Sequence, residues 1–67
     1  MILEMLSSSY RMRIRRAVLR FMYSTKGNTE DFYSALLRKA ENARSYKTAI
    51  ILHGMAEYMV REGFVFA

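Results

Sequence analysis

The 67-residue chain contains no cysteine, no proline and only three glycines. The absence of cysteine excludes disulfide bonds and thiolate metal sites, and it fits a reducing compartment, so we expect a cytoplasmic protein. The absence of proline leaves long helices uninterrupted. The glycines stand singly, which excludes a glycine-rich phosphate loop. No apolar run approaches the roughly 20 residues that a membrane-spanning helix requires.

The chain also offers few groups for catalysis or metal binding. His53 is the single histidine, and a metal site would need Glu57 together with ligands from elsewhere, whereas a lone histidine beside apolar residues is usually structural. Glu30 and Asp31 are adjacent and diverge on a helix, which suits the first turn of a helix rather than acid–base catalysis. We therefore predict a binding protein that is not an enzyme and uses no metal or cofactor.

Acidic residues are missing from a long interval near the N-terminus. No aspartate or glutamate occurs between Glu4 and Glu30. Residues 1–29 hold six bases and one acid and so carry the whole net charge of +5, whereas five bases balance five acids in residues 30–67. Guanidinium groups bind phosphates in a bidentate manner. The candidate nucleic-acid contacts are Arg11, Arg13, Arg15, Arg16, Arg20 and Lys26.

Apolar periodicity predicts an all-α fold, with a first helix over about residues 2–24. Apolar residues recur at spacings of three and four from Leu3 to Phe21, as on one face of a helix. A projection at about 100° per residue places a second apolar stripe nearly opposite the first. A helix with two apolar sides is sandwiched between two neighbours, and a chain of this length buries only a modest core alone. We therefore predict a homodimer or a protein partner. The candidate interface residues are Met5, Met12, Leu19 and Met22.

The second half of the chain is predicted to be helical over about residues 30–62, after a turn at residues 25–29. Two bases, Arg44 and Lys47, fall on the apolar stripe of this region. They favour a break near residues 44–47, with Ser45 capping a third helix. The sequence therefore predicts a single small domain, either a helical hairpin or a three-helix unit, that dimerisation completes.

The arginines leave two functions open. As phosphate ligands they favour a nucleic-acid-linked regulator that acts as a homodimer. As interface residues beside methionine and aromatic side chains they favour an adaptor or co-chaperone without nucleic-acid contact. The outline "KGNTEDFY" followed by "AIILHGMAEYM" resembles, over about half the chain, the small helical-hairpin co-chaperones of bacterial type III secretion needles. This resemblance implies a protein-binding role.

Overall fold

The computed structural model describes residues 2–24 and 28–65, and these residues form four α-helices. Helix α1 spans Ile2–Met5, α2 spans Ser8–Ser24, α3 spans Thr29–Glu41 and α4 spans Tyr46–Arg61. The described part of the chain contains no strand, so the predicted all-α class is confirmed. The described residues form four helices, however, and not the two or three of the predicted hairpin or three-helix unit.

The predicted continuous helix over residues 2–24 is instead two helices, interrupted at Leu6 and Ser7. The Ser7 hydroxyl accepts a hydrogen bond from the backbone N–H of Tyr10 at 3.4 Å. The Ser7 carbonyl accepts the N–H of Arg11 at 3.0 Å. Serine competes with the helix for these backbone groups and is favoured at a helix start. Ser7 therefore begins α2 and separates it from α1.

Helix α1 lies across α4 because Glu57 holds its first turn. One oxygen of Glu57, Oε2, accepts the backbone N–H groups of Ile2 at 3.0 Å and Leu3 at 3.3 Å. An ion pair of 2.6 Å between Arg61 and Glu4 joins the same two helices. A carboxylate near a helix N-terminus satisfies amide groups that have no partner within the helix. These contacts anchor α1 to α4 rather than to α2.

Caps define the starts of α3 and α4. The Asn28 side chain accepts the N–H groups of Glu30 and Asp31 at 3.0 and 3.3 Å, which begins α3. The predicted break near residues 44–47 falls at residues 42–45, and the Ser45 hydroxyl accepts the N–H of Thr48 at 3.0 Å. Because serine and asparagine are strong N-capping residues, the local sequence dictates both helix starts.

The end of α4 is a glycine-dependent turn. Gly63 has a φ of 74°, in the left-handed region that side chains rarely enter. Its N–H donates to the carbonyl of Val60 at 3.1 Å, and the N–H of Phe64 donates to the carbonyl of Met59 at 2.9 Å. This pair of bonds is the Schellman motif. It turns the chain back so that Val65 is buried in the core.

Helix α4 is the centre of the fold and contacts each of the other three helices. Its residues Ala56 and Met59 are buried against Val18 of α2 and Leu36 of α3. The rings of Phe21 and Phe32 stack with centroids 3.5 Å apart and join α2 to α3. The buried apolar side chains are Leu3, Ile14, Val18, Leu36, Ala40, Ala56, Met59 and Val65.

Gly54 lies against the side chain of Ile14, where α2 packs on α4. A Cβ atom at this position would lie 2.7 Å from Cδ1 of Ile14, which is closer than two carbon atoms pack. The side chain of Ile14 occupies the space that a larger residue 54 would fill. Ile14 and Val18 therefore point toward α4, and the opposite side of α2 faces solvent.

We predict that Gly54 and Ile14 are energetically coupled. Alanine is favoured over glycine inside a helix by about 1 kcal/mol, but overpacking costs about 1–3 kcal/mol. We therefore expect that Gly54→Ala does not raise the free energy of unfolding, although alanine has the higher helix propensity. Ile14→Val removes the clashing methyl group, and alone it should cost about 0.5–1.5 kcal/mol. The double variant should be more stable than the sum of the single changes. Denaturant unfolding of all four proteins measures this, and additive free energies would contradict the proposed contact.

Candidate nucleic-acid interface

Helix α2 carries five exposed arginines, with Arg13, Arg16 and Arg20 on one flank and Arg11 and Arg15 on the other. Burial of Ile14 and Val18 fixes the rotation of the helix, and the arginine side chains between Arg11 and Arg20 are all exposed. We define the basic face as Arg11, Arg13, Arg15, Arg16 and Arg20. The sixth predicted contact, Lys26, lies outside the described residues.

Within residues 2–24 and 28–65, no salt bridge neutralises the basic face. The ion pairs of this part of the chain join Arg61 to Glu4 at 2.6 Å and to Glu57 at 3.9 Å. Glu57 is engaged with α1 and Arg61, and it makes no ion pair with α2. The guanidinium groups of the basic face are therefore not neutralised by carboxylates of the described chain, and they present their charge to solvent.

The four predicted interface residues lie in different environments. Met5 is 81% exposed, but the break at Ser7 places it on α1, away from the apolar stripe of α2. Met12 is 55% exposed on the basic face, and Leu19 is partly exposed near it. Met22 packs against the core, because it lies one helical turn beyond Val18. The predicted alignment of Met5 with Met12 and Leu19 on one helix therefore does not hold, whereas Met12 and Leu19 remain on the same helix and line one concavity.

Lys47 extends the positive surface from α2 onto α4. Its ammonium nitrogen lies 5.6 Å from the centroid of the Tyr10 ring, and the guanidinium carbon of Arg13 lies 5.9 Å from the same centroid. Hydrogen bonding to Lys47 and the charge of Lys47 lower the pKa of Tyr10, with a smaller effect from Arg13. An aromatic ring between two cations is a cation–π arrangement. Helical periodicity alone did not identify this contact.

A cleft opens between the start of α2 and the end of α4. Its volume is about 630 Å³. Burial raises the pKa of the Tyr58 hydroxyl in this cleft, the hydrogen bond and charge of Glu62 raise it further, and Arg15 acts in the opposite direction. The cleft therefore combines cationic, hydroxyl, carboxylate and apolar groups. It is lined by Leu3, Ser8, Arg11, Met12, Arg15, Tyr58, Arg61 and Glu62.

A second concavity, which we call the apolar groove, lies between α1 and the first half of α4. Tyr46, at its edge, is 80% exposed. Among the described residues, no charged side chain lines the groove, and its polar side chains are those of His53 and Tyr46. The lining residues are Ile2, Met5, Leu6, Tyr46, Ala49, Ile50 and His53.

The described residues hold no cluster of three or more histidine, aspartate or glutamate side chains that could bind a metal ion. Among these same residues, no helix has the length and hydrophobicity required to cross a membrane.

Comparison of the chain with models of known protein families, with curated proteins and with solved structures finds no match. The resemblance to the secretion co-chaperones therefore receives no support from these comparisons.

We predict that Lys47 controls the ionisation of Tyr10. Because Lys47 stabilises the negatively charged phenolate, Lys47→Met should raise the pKa of Tyr10 toward its usual value of about 10. NMR titration of ring-labelled tyrosine measures the shift. Lys39→Met removes the same charge from an exposed position on α3 and should leave Tyr10 unchanged. Equal effects of the two substitutions would show that Lys47 has no specific contact with the ring.

Proposed function

We propose that this protein is a small helical regulator that binds nucleic acid through the basic face of α2. The observation that carries the proposal is the set of five exposed arginines along α2, none of which forms a salt bridge within the described chain. A charge of this density next to solvent attracts polyanions. Arginine also donates bidentate hydrogen bonds to phosphate oxygens.

The dimensions of the basic face suit a phosphate backbone. Arg11 and Arg20 are nine residues apart on one helix, which corresponds to about 14 Å at 1.5 Å per residue. Over that length double-stranded DNA presents a phosphate charge about every 1.7 Å, with both strands counted. Several arginines can therefore contact phosphates at once, and Lys47 lengthens the positive surface beside Tyr10.

We predict that replacing Arg13, Arg16 and Arg20 by glutamine weakens binding and reduces its salt dependence. Each neutralised phosphate releases condensed counterions, so the salt slope should fall by about one unit for each arginine–phosphate pair that the substitutions remove. The affinity for unrelated sequences should fall by similar factors. Fluorescence anisotropy with labelled DNA and RNA at several salt concentrations measures both quantities.

The matched control for this experiment is Arg38→Gln, on the exposed surface of α3, which should change neither the affinity nor the slope. The absence of binding at low salt, with the protein shown to be folded by circular dichroism, would contradict the nucleic-acid proposal.

The alternative function is an adaptor or co-chaperone. Met12 and the 89% exposed Tyr23, which lie on the outward side of α2, favour it, since methionine, tyrosine and arginine are enriched at protein interfaces.

We further propose that the protein acts as a homodimer and that the apolar groove is the contact surface. In a two-fold symmetric dimer the same patch of each copy meets the other. A contact through Met12 and Leu19 would bring the arginines of both copies together, and like charges at an interface are unfavourable. The described residues give the apolar groove no charged lining, and they include the highly exposed Met5 and Tyr46. A dimer through the groove also leaves both basic faces open.

We predict that Met5→Asp dissociates the dimer and that Met12→Asp does not. Both substitutions place the same charge at an exposed methionine, but only the first buries a carboxylate at the proposed contact, without a partner. Sedimentation equilibrium at micromolar concentration measures the association, and circular dichroism checks the helix content. A monomeric parent protein, or dissociation by Met12→Asp alone, would contradict the proposed contact.

A further inference from the structure

We infer that the cleft between α2 and α4 binds one unstacked nucleotide of a single strand, with its phosphate on Arg11 and Arg15 and its base against Met12 and Tyr58. The inference rests on the proposed nucleic-acid function and specifies its substrate class. It requires that a phosphate site and an apolar surface of the size of a base lie side by side, and the lining of this cleft provides both.

The phosphate site is the pair Arg11 and Arg15. The two residues are four positions apart on α2, so their side chains project from the same side of the helix, and both line the cleft. Ser8 adds a hydroxyl donor in the first turn of α2, where the helix dipole also favours an anion. The third cation of the cleft, Arg61, is paired with Glu4 at 2.6 Å. Two cations and a hydroxyl match the oxygens of one phosphate group.

The rest of the lining suits a base and its sugar better than a second anion. Leu3, Met12 and the Tyr58 ring form an apolar wall, and the volume of about 630 Å³ lies within the range of small-molecule sites. Glu62 and Tyr58 both line the cleft, and the Glu62 carboxylate interacts there with the Tyr58 hydroxyl. A carboxylate repels further phosphates but accepts hydrogen bonds from a base amine or a sugar hydroxyl. The ligand expected here therefore has one anionic part and one neutral hydrogen-bonding part.

This arrangement implies a preference for single strands. A base in a duplex is stacked and paired, so it must leave the helix before it can enter a cleft, at the cost of its pairing and stacking. The bases of a single strand are already accessible, and proteins that bind single strands combine cationic groups with aromatic surfaces. The remaining arginines of the basic face, which lie outside the cleft, contact phosphates of either form.

The test compares Ser8→Glu with Ser9→Glu. Both positions are exposed and lie in the first turn of α2, where an acid is compatible with the helix dipole, so both variants should fold. They carry the same charge change, but only residue 8 lines the cleft. We expect Ser8→Glu to lower the affinity for a single-stranded RNA oligonucleotide about tenfold more than Ser9→Glu, as for the removal of one charge-assisted hydrogen bond. Fluorescence anisotropy at one salt concentration measures the affinities.

A duplex of the same sequence and a mononucleotide complete the experiment. The two glutamate variants should bind the duplex with similar affinity, and adenosine 5′-monophosphate should shift the NMR signals of Arg15 and Tyr58 more than inorganic phosphate or adenosine does. Equal effects of both variants on the single strand would overturn the cleft inference while leaving the nucleic-acid function intact. Failure of the parent protein to bind either strand form would overturn both.

Discussion

The packing of α4 against the other three helices is the constraint on which the rest of the structure depends. Gly54 allows α2 to approach until Ile14 fills the space beside it, and Met59 and Ala56 meet the buried residues of α2 and α3. With Ile14 and Val18 turned inward, Arg13, Arg16 and Arg20 project from the opposite side of α2, whereas Arg11 and Arg15 flank the buried side and are also exposed. The apolar contact thus sets the rotation of the helix and with it the side on which Arg13, Arg16 and Arg20 meet solvent.

The basic face and the apolar groove lie on different parts of the fold, and this separation underlies the proposed division of roles. The basic face and the cleft lie along α2, whereas the apolar groove lies between α1 and the first half of α4. Glu57 and Arg61 maintain the groove because they hold α1 on α4. A second copy in the groove and a nucleic acid on α2 would therefore occupy different surfaces, so both could bind at once.

Local sequence signals predicted the features that depend on near neighbours. The exposure of Arg13, Arg16 and Arg20 follows from helical periodicity, and the start of α4 follows from the capping preference of Ser45. Periodicity did not predict the break at Ser7, because the apolar pattern continues across it. The contact that positions α1 on α4 joins Ile2 to Glu57, 55 residues away in the sequence. The cleft and the contact between Tyr10 and Lys47 likewise join α2 to α4. Contacts of this range depend on how the helices pack, which a local pattern does not encode.

The most direct test of the central claim is to map the contact surface by NMR. Amide signals of the labelled protein would be followed while a short single-stranded oligonucleotide is added at low salt. We predict that the largest changes fall on residues 11–20 of α2 and on Tyr58 and Glu62 at the cleft, and that Ile50 in the apolar groove is unaffected. Changes confined to the apolar groove, or no changes in a folded protein, would contradict the claim that α2 is the nucleic-acid surface.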